Sequence, residues 1–396
     1  MRVAVCFHRF GPYHRARLEG AGRHVDVIGI EVSGYTSEYD WETVEADSSF
    51  DRICLFPDRY SEDVSARGVV TAVRETLSEV SPDVVAVHGW STRSALAVTQ
   101  VCIERNLPTV VMSESTAYDA ERSWIRERVK RRVVALHQAA LVGGTPHAAY
   151  LRQLGFADNR IFKGYDAVEN EYFAEGADTT RDDAEAMRAS YGLPERYILA
   201  SARFLPKKNL SGLLRAYAAY REKLVDEGAL DLVILGDGPL REKIEAIRAK
   251  HRLEDCVHLP GFKQYDDLPV YYGLAEFFVH ASTTEQWGLV VNEAMAAGLP
   301  VLVSERCGCA FDLVEEGANG YTFDPHDTAE LTDLLVKMTR LSERDHDMAD
   351  TSRRIIERWG ANAFGEGLRK AAQAALDEPP TGSWVDQFLV KTLMYR

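Results

Sequence analysis

The chain has 396 residues, and at about 100–200 residues per domain this length favours two globular domains. Acidic residues outnumber basic ones by 61 to 46, which gives a formal net charge of −15, and 46% of the residues are hydrophobic. This composition excludes a chain that is disordered throughout, and its negative charge argues against a general nucleic-acid-binding protein.

No apolar run reaches the roughly 20 residues of a membrane span, and the N-terminus enters a strand-like pattern without the apolar region of a signal peptide. The six cysteines are scattered along the chain, as is usual where thiols stay reduced. We therefore expect a cytosolic protein.

The first half of the chain alternates short apolar runs with amphipathic segments, which is typical of βαβ units. Because the runs are apolar throughout, they favour a parallel sheet with helices on both faces. The predicted strands are residues 3–7, 24–30, 53–56, 83–87, 109–112, 140–142 and 161–162, and the predicted helices are 14–20, 64–80, 92–105 and 146–154.

A polar, acidic segment at 171–182 interrupts this alternation and predicts an interdomain linker. The second series has predicted strands at 197–200, 232–235, 257–259, 277–280 and 301–303, and helices at 210–220, 240–248, 268–273, 289–297, 311–315, 331–341 and 352–375. The sequence thus predicts an α/β protein with two doubly wound sheets. The N-terminal domain is expected at 1–170, the C-terminal domain at 183–378 and a final amphipathic helix at 379–396.

In open parallel sheets, ligands bind beyond the carboxyl ends of the strands, where helix N-termini present backbone N–H groups. The strongest candidate segment follows the strand at 277–280: a loop with Glu285 leads through Gly288 into a helix that carries Glu293. Both carboxylates can face one pocket, and the amides of Trp287, Gly288 and Leu289 can face a phosphate there. The alternative is that Glu293 is merely a favourable acid in the first turn of a helix.

Two basic residues follow the predicted strand at 197–200. Arg203 lies in the loop and Lys208 at the start of the next helix. A guanidinium binds oxygens in pairs and an ammonium acts as a point charge, so the two suit a diphosphate leaving group. A solvated basic turn is the alternative. Gly236 and Gly238 occupy the next strand-to-helix turn, which is weak evidence for a nucleotide because such turns often need glycine.

These residues belong to five motifs that follow one another across residues 200–325: ARFLPKKNL, LGDGPLR, HLPGF, ASTTEQWGLVVNEAMAAGLPVLVS and EEGANGYTFDP. In this order and spacing the chain resembles the retaining glycosyltransferases of family 4, which belong to group 1 and have the GT-B fold. The resemblance implies two Rossmann-like domains facing a central cleft, with the C-terminal helix crossing back to the first domain. The N-terminal half is similar more loosely, through its βα alternation, the loop at Gly11 and the sequence HGW.

The resemblance also implies a role for each matching residue. Arg203 and Lys208 would bind the diphosphate of a sugar nucleotide as the glycosidic bond breaks, and Glu285 would contact the donor sugar. Glu293 would hydrogen-bond the ribose. Donor binding would also use the amides of Trp287, Gly288 and Leu289, the base region at Gly236, Gly238 and Phe262, and Gly11 of the N-terminal domain. A UDP-sugar is the expected donor, and no metal or other cofactor is expected, because Arg, Lys and a helix N-terminus supply positive charge.

The chain departs from the family pattern at two places. Many relatives have a histidine after the strand that corresponds to 109–112, whereas this chain has Glu114 there and a histidine, His88, after the preceding strand. His88 and Glu114 are therefore candidates for a donor-sugar or acceptor contact, and a structural hydrogen bond is the alternative for His88. Cys307 and Cys309 stand where relatives often have Gly-Gly, and they predict packing in a tight turn rather than zinc binding.

The acceptor is expected to be a sugar, a lipid-linked intermediate or a small molecule. The segment 121–132, ERSWIRERVKRR, holds six basic and two acidic residues around Trp124 and Ile125. Such a helix suits an anionic membrane surface or a phosphorylated acceptor, with a solvated, salt-bridged helix face as the alternative.

The sequence therefore predicts a cytoplasmic glycosyltransferase, peripheral on the inner face of the membrane if the helix at 121–132 contacts lipid, that acts in polysaccharide or glycoconjugate biosynthesis. Two alternatives remain at this level. One is a non-catalytic sugar-nucleotide-binding protein, and the other is a sugar-nucleotide epimerase of the same fold.

Overall fold

The computed structural model describes residues 1–35, 49–60, 63–119, 122–225, 228–342, 347–380 and 382–395. The chain divides into two compact units. The first unit is Met1–Val168 with Trp359–Arg396, and the second unit is Glu169–Arg358. Within the described ranges, no helix is both long enough and apolar enough to span a bilayer.

The strands form two parallel sheets, as the continuous apolar runs predicted. In the first unit they are β1 (Arg2–Phe7), β2 (Asp26–Tyr35), β3 (Asp51–Tyr60), β4 (Val84–His88), β5 (Thr109–Ser113), β6 (Ala139–Val142) and β7 (Ile161–Lys163). In the second unit they are β8 (Tyr197–Ser201), β9 (Asp231–Leu235), β10 (Val257–Gly261), β11 (Phe277–His280), β12 (Val301–Ser304) and β13 (Gly320–Phe323). The sheet orders are β3-β2-β1-β4-β5-β6-β7 and β10-β9-β8-β11-β12-β13.

Helices alternate with these strands. They are α1 (Pro12–Gly22), α2 (Ala66–Val80), α3 (Arg93–Arg105), α4 (Trp124–Val134), α5 (Thr145–Gln153), α6 (Asn170–Asp182), α7 (Ala184–Tyr191), α8 (Leu210–Lys223), α9 (Arg241–Lys250), α10 (Leu268–Gly273), α11 (Leu289–Ala296), α12 (Ala310–Leu313), α13 (Thr328–Ser342), α14 (Asp347–Ile356), α15 (Ala361–Leu376) and α16 (Trp384–Met394). Most begin and end within a few residues of their predicted positions.

The sheet of the first unit is covered on both faces, which explains why its strands are apolar throughout. One apolar cluster joins the sheet to α2, α3, the end of α4, α5 and α16. A second cluster on the other face joins it to α1 and α15. Val390 and Met394 of α16 are buried in the first cluster, where α16 packs beside α3.

The observed units differ from the predicted domains at 359–378. The sequence predicts this segment as part of the C-terminal domain, whereas α15 packs in the first unit, with Phe364 and Leu368 fully buried against its sheet. Two glycines permit this packing. A Cβ atom at Gly20 of α1 would lie 2.2 Å from the carbonyl oxygen of Ala361, and one at Gly365 of α15 would lie 2.5 Å from the carbonyl oxygen of Gly20. Sequence periodicity predicts a helix here, but it carries no information about which sheet the helix covers.

The predicted linker at 171–182 is a helix in the structure, α6. Its buried side chains are Phe173, Ala177 and Thr180, which lie on one helical face and pack towards α10. A Cβ atom at Gly176 would lie 2.6 Å from Pro269, so the two helices approach closely. Because only one of the three buried residues is large and apolar, the acidic composition of the segment concealed this face.

Candidate functional site

The candidate site residues of the second unit lie at the point where its strand order reverses. From β8 the chain proceeds to β9 and β10 on one side, whereas β11, β12 and β13 extend the sheet on the other side. The loops that follow β8 and β11 therefore leave the carboxyl edge in opposite directions and open a crevice between them, which is where ligands bind in such sheets. Arg203 and Lys208 follow β8, and Glu285 follows β11.

An ion pair joins the two sides of this crevice. The Lys208 ammonium contacts the Glu285 carboxylate, and both side chains are largely buried, with 14% and 12% of their surface exposed. Lys207 is the outer neighbour: its Nζ lies 3.8 Å from Oε1 of Glu285 and its side chain is 44% exposed. The structure thus brings together two of the three residues predicted to be catalytic. The third, Arg203, is exposed on the same loop.

A buried histidine supports Glu285 from beneath. His280, the last residue of β11, places Nε2 3.6 Å from Oε2 of Glu285 and 3.2 Å from the Ser282 hydroxyl. Burial opposes ionisation of Glu285, but the adjacent imidazole of His280 and the charge of Lys208 outweigh it and hold the pKa of Glu285 well below its usual value. Burial also lowers the pKa of His280. Glu285 is therefore a carboxylate at neutral pH beside a neutral imidazole.

Backbone hydrogen bonds fix the loop that carries Glu285 to both of its neighbours. The Thr283 amide donates to the carbonyl of Lys207 at 2.8 Å, which ties the loop to the one after β8. The Glu285 amide donates to the carbonyl of Arg306, and the Gly308 amide donates to the carbonyl of Glu285, which forms a short parallel bridge. The carboxylate is therefore placed by the backbone as well as by its charged partner.

Cys307 and Cys309 lie in this last loop and are both buried with free thiols. Burial, aided by the nearby Glu285 charge, raises the pKa of the Cys307 thiol well above its usual value. The Cys309 amide donates to the carbonyl of Trp287. Their surroundings agree with the predicted packing in a tight turn. Among the described residues, no group of three or more His, Cys, Asp or Glu side chains could hold a metal ion.

The helix α11 begins directly after this loop. Gly288 precedes it with φ of +106°, a left-handed conformation that favours glycine. The first amides of a helix have no partner within the helix, so those of Leu289 and its successor are suited to an anion. The Trp287 side chain itself is buried and donates from Nε1 to Asn292 at 2.8 Å, so its ring has a structural role.

Glu293 lies one turn further along α11 and is fully buried. Its Oε2 accepts a hydrogen bond of 2.6 Å from the Tyr272 hydroxyl. Burial and the charge of Glu293 together raise the pKa of Tyr272, which keeps this hydroxyl a donor. The Glu293 side chain is therefore more deeply buried in the second unit than the Glu285 side chain.

The glycines after β9 allow three loops to meet. A Cβ atom at Gly236 would lie 2.1 Å from the carbonyl oxygen of Ala202, and φ at Gly236 is +112°. Gly238, with φ of +152°, lies against the backbone of Phe204. The Gly236 amide in turn donates to the carbonyl of Gly261, next to the exposed Phe262. The predicted base-binding residues thus border the loop that carries Arg203.

The sheet of the first unit also reverses its order, between β1 and β4. His88 ends β4, and its Nε2 lies 2.8 Å from the hydroxyl of Ser94 at the start of α3. His8, after β1, contacts the same hydroxyl with Nδ1 at 3.4 Å. Burial, with a smaller contribution from His8, lowers the pKa of His88 to about 3, so its imidazole is neutral at pH 7.

Gly11 and Glu114 lie in neighbouring loops of the first unit. Gly11 caps the N-terminus of α1 in an extended conformation, and its amide donates to Nδ1 of His14 at 3.2 Å. Glu114 follows β5 and is half-buried. It acts electrostatically on Asp166, whose pKa is raised by burial and by the Glu114 charge, while Arg17 lies 3.6 Å from Asp166.

Sequence reasoning missed His280, His8 and Ser94. All three lie within or beside segments that the strand-end criterion had selected, since His280 ends β11, His8 follows β1 and Ser94 begins α3. His280 closes a strand, His8 lies in a loop and Ser94 lies in the first turn of a helix. Only the contact of His280 with Glu285 and the meeting of His8 and His88 at the Ser94 hydroxyl distinguish them from ordinary polar residues. A rule that every histidine at the carboxyl end of a switch-point strand is a candidate would have found both histidines.

Residues 183–355 match the sequence family described as glycosyl transferases group 1. The chain is 28% identical over 167 residues to an alpha-monoglucosyldiacylglycerol synthase from Acholeplasma laidlawii, covering 41% of this chain and 40% of that protein. It is 31% identical over 196 residues to a GDP-mannose-dependent alpha-(1-6)-phosphatidylinositol monomannoside mannosyltransferase from Mycobacterium tuberculosis, covering 46% and 49%. The matches thus span less than half the length of either relative.

The structure is similar over nearly its whole length to the crystal structure of HepE from Anabaena in complex with UDP. The TM-score is 0.71 at 16% sequence identity, covering 93% of this chain and 98% of that chain. A similarity at this identity concerns the fold, and it agrees with the GT-B fold that the five motifs predicted.

Proposed function

Because residues 183–355 belong to the glycosyl transferases group 1 family, we propose that this chain is a retaining, metal-independent glycosyltransferase of the family 4 type. It moves a sugar from a nucleoside diphosphate sugar, with UDP favoured, to an acceptor in polysaccharide or glycoconjugate biosynthesis. The observation that carries the proposal is the buried Lys208–Glu285 pair at the switch point of the second sheet.

The second unit binds the donor in this proposal. Lys208 and Arg203 stabilise the diphosphate, the amides of Gly288 and Leu289 bind a phosphate or a sugar hydroxyl, and Glu285 contacts the donor sugar. Glu293 hydrogen-bonds the ribose, and the base lies near Gly236, Gly238 and Phe262. The first unit receives the acceptor, with His88 and Glu114 as candidate contacts to the acceptor or the donor sugar. Gly11, in the loop after β1, contributes to donor binding.

The reaction breaks the bond between the anomeric carbon and the β-phosphate oxygen, whose electron pair leaves with the nucleoside diphosphate. The acceptor oxygen bonds to the same face of the oxocarbenium-like centre, and its proton passes to the leaving phosphate oxygen. Glu285 stays ionised because its pKa is lowered, so it stabilises the positive charge that develops on the sugar. Most of the rate enhancement comes from preorganised charges and from positioning.

The positive charge that a metal ion would supply comes from side chains and backbone in this proposal. Lys208 is buried and held in place by Glu285, and a preorganised cation in a water-poor site acts more strongly than one in water. The N-terminus of α11 adds partial positive charge on the same side of the crevice.

The acceptor is proposed to be a lipid-linked or otherwise anionic intermediate. The names of the two relatives described above contain the glycolipids monoglucosyldiacylglycerol and phosphatidylinositol monomannoside, and the basic helix α4 lies in the first unit. We place the reaction on the cytoplasmic face of a membrane, with peripheral contact through 121–132. Of this segment, Glu121 lies outside the described residues.

A thermal-shift screen with UDP, GDP, ADP and dTDP tests donor binding, in parallel with and without a chelator. The matching nucleotide raises the unfolding temperature by mass action, and the chelator leaves this shift unchanged. UDP is the expected match. The GDP arm is needed because one relative is named for GDP-mannose. No shift with any of the four nucleotides would contradict the assignment of the second unit.

Transfer is then followed with the matching nucleotide sugars and a panel of lipid and sugar acceptors. The expected product keeps the anomeric configuration of the donor, which NMR of the isolated product reveals. Donor binding with neither transfer nor hydrolysis would instead indicate a non-catalytic binding protein. Conversion of the donor to another nucleotide sugar without any acceptor would indicate an epimerase.

A further inference from the structure

One histidine of the candidate site has no part in the function proposed above. His280 is the last residue of β11 and comes directly before the loop that carries Glu285, and its side chain is only 2% exposed. Buried polar groups are stable where they are hydrogen-bonded. The partners of this imidazole therefore indicate what it does.

The plane of the imidazole is fixed by stacking. His280 and Phe278 are two residues apart on one face of β11, and their rings lie at an angle of 12° with centroids 6.4 Å apart. This separation is within the range of favourable ring pairs. Phe278 is itself fully buried and contacts Tyr272, with ring centroids 5.8 Å apart. The strand and the core thus set the direction in which the Nε2 edge of His280 points.

The Nε2 edge of His280 lies where the loop after β11 joins helix α11. Nε2 is 3.2 Å from the Ser282 hydroxyl and 3.6 Å from Oε2 of Glu285. A Cβ atom at Gly288, the residue that precedes α11, would lie 3.6 Å from both Nε2 of His280 and Cγ of Glu285. The imidazole therefore packs against Glu285 and against the glycine that leads into α11.

A serine links the imidazole to the carboxylate. The Ser282 hydroxyl donates to Oε2 of Glu285 at 3.4 Å, and the same hydroxyl contacts Nε2 of His280. A carboxylate only accepts hydrogen bonds, so the Ser282 proton is directed to Glu285 and the Ser282 oxygen accepts from Nε2–H. This order requires a neutral imidazole with its proton on Nε2, and burial, which lowers the pKa of His280, favours the neutral form.

The two oxygens of the Glu285 carboxylate have different surroundings. Oε2 contacts the Lys208 ammonium and the Ser282 hydroxyl, and His280 lies behind it. Oε1 faces Lys207, whose Nζ is 3.8 Å away on a side chain that is 44% exposed. The carboxylate is therefore anchored through Oε2, and Oε1 is the oxygen on the more open side.

We propose that His280 is the positioning residue of this site. Through Ser282, and by packing against Gly288, it fixes Oε2 of Glu285 and so directs Oε1 towards a hydroxyl group of the donor sugar. His280 itself is buried, so it acts on the donor through Glu285. The inference deepens the function proposed above and rests on it for the presence of a donor sugar. Because a displacement of about 1 Å can lower a rate about a hundredfold, an anchor of this kind contributes to kcat.

Two substitutions at this position separate positioning from space filling. His280→Leu fills the same space without an N–H group for Ser282, so kcat for transfer should fall about tenfold to a hundredfold. His280→Gln retains an N–H donor at a similar distance from the backbone and should keep kcat within about fivefold of the parent. Nucleotide-induced thermal shifts should be unchanged in both variants, because Lys208 and the first amides of α11 remain.

Ser282→Ala breaks the link and leaves the imidazole in place. It should lower kcat about tenfold, and it carries the test if His280→Leu does not fold. His258→Leu is the matched control. His258 lies on β10, separated from β11 by two strands of the same sheet, and its Nε2 contacts the Asp231 carboxylate at 2.8 Å. This control also loses a contact between a histidine and a carboxylate, and it should transfer like the parent.

Crystal structures of the parent and the variants show the position of the carboxylate directly, without any need for activity. In His280→Leu and in Ser282→Ala, the Glu285 carboxylate should turn away from its position in the parent. In His280→Gln it should keep that position.

Three outcomes would overturn the proposal. They are parental kcat in His280→Leu and Ser282→Ala, equal losses of kcat in His280→Leu and His280→Gln, and an unmoved Glu285 carboxylate in the variants that break the link. Failure of the proposed function is a separate result. A parent with neither a nucleotide-induced thermal shift nor transfer would remove the function, and the crystal structures would still decide whether His280 positions the carboxylate.

Discussion

The two units share one topology but differ in what they place at the switch point. In the second unit, the loops after β8 and β11 carry Lys208 and Glu285, a charged pair with its own histidine support. In the first unit, the loops after β1 and β4 carry His8 and His88, which meet at the hydroxyl of Ser94. The same backbone arrangement therefore presents a fixed ion pair in one unit and, apart from Arg9 after β1, neutral hydrogen-bonding groups in the other.

This difference indicates what each edge can bind. Burial lowers the pKa of both His88 and His14 to about 3, so neither imidazole supplies positive charge at neutral pH. A diphosphate needs cations. At the switch point of the second unit Lys208 is largely buried and held by Glu285, whereas the groups at the switch point of the first unit are His8, His88 and Ser94 together with Arg9 after β1. Neutral imidazole and hydroxyl groups instead suit a ligand that offers hydroxyl groups, as a sugar acceptor does.

The contrast between the two units would be wrong if the charge at the switch point of the second unit did not contribute to catalysis. Lys208→Ala is expected to lower the rate of transfer about a thousandfold, because it removes a preorganised cation from the leaving diphosphate. Steady-state kinetics with the matching donor measures this. Arg203→Ala should also cost orders of magnitude, since Arg203 follows the same strand.

Lys207→Ala is the matched control for Lys208→Ala. Its ammonium is also near Glu285, at 3.8 Å, but its side chain is more exposed, and an exposed pair contributes little. It should lower the rate less than about fivefold. Near-parental transfer by Lys208→Ala, or equal losses in both lysine variants, would contradict the role given to Lys208.

The two units also differ in how strictly their switch-point loops require glycine. In the second unit, a Cβ atom at Gly236 would lie 2.1 Å from a backbone oxygen and φ is +112°, whereas at Gly11 of the first unit φ is −131° and the nearest atom is 3.8 Å away. Gly236→Ala should lower the free energy of unfolding of its unit by at least about 2 kcal/mol, and Gly11→Ala by less than about 0.5 kcal/mol. Chemical denaturation measures both.

Gly11→Ala also tests the role that the resemblance implies for this residue. The backbone conformation at Gly11 suits any residue. A large loss of transfer without loss of stability would therefore mean that a ligand needs the space left by the absence of a side chain at Gly11. Unchanged kinetics would mean that Gly11 serves only as a cap for α1. A Gly236→Ala variant as stable as the parent would contradict the close approach of the loops after β8 and β9.

The site of the second unit was largely predictable from sequence, and that of the first was not. Lys208 and Glu285 are contributed by motifs of fixed spacing, so a linear pattern identified residues 77 positions apart that the structure brings into contact. The ladder that places Glu285 and the pairing of His88 with Ser94 depend on neighbouring loops, which no local pattern encodes. The helix α6 was missed for a related reason, since its buried face is apparent only from its contact with α10.

Buried histidines and the buried Glu285 carboxylate should respond to acid in different pH ranges. His137 of the first unit is buried, which lowers its pKa to about 4, so it stays neutral in the folded state while the unfolded chain takes up a proton below about pH 6.5. Stability is therefore lost as the pH falls, by up to about 1.4 kcal/mol per pH unit. His137→Gln should remove this part of the slope between pH 6.5 and about 5, measured by denaturation at each pH.

The ion pair of the second unit provides the contrast. The pKa of Glu285 is already lowered in the folded state, so its contribution is present above its ordinary pKa and is lost only as the pH falls further, towards the folded value. The carboxylate itself should therefore contribute nothing to the slope between pH 6.5 and about 5. Glu285→Gln also removes a charge that raises the pKa of His280, so the slope in this variant should be equal or steeper, and transfer should be abolished. A flattened slope in this variant would contradict this sign, because neither loss of the carboxylate nor a lower pKa of His280 reduces the slope.

The smallest expected effect concerns His88, and it decides whether the first edge binds the acceptor at all. His88→Ala removes one hydrogen-bonding group, which is worth about 1 kcal/mol, so KM for the acceptor should rise about fivefold to tenfold. Nucleotide affinity should not change, because the donor belongs to the second unit. Ser94→Ala is the control, since it removes the partner of His88 but leaves the imidazole in place. If His88 only anchors α3, both variants lose stability alike and neither changes KM. A rise in KM for the acceptor that is confined to His88→Ala would show that the His88 imidazole contacts the acceptor. The switch point of the first unit would then be the acceptor site.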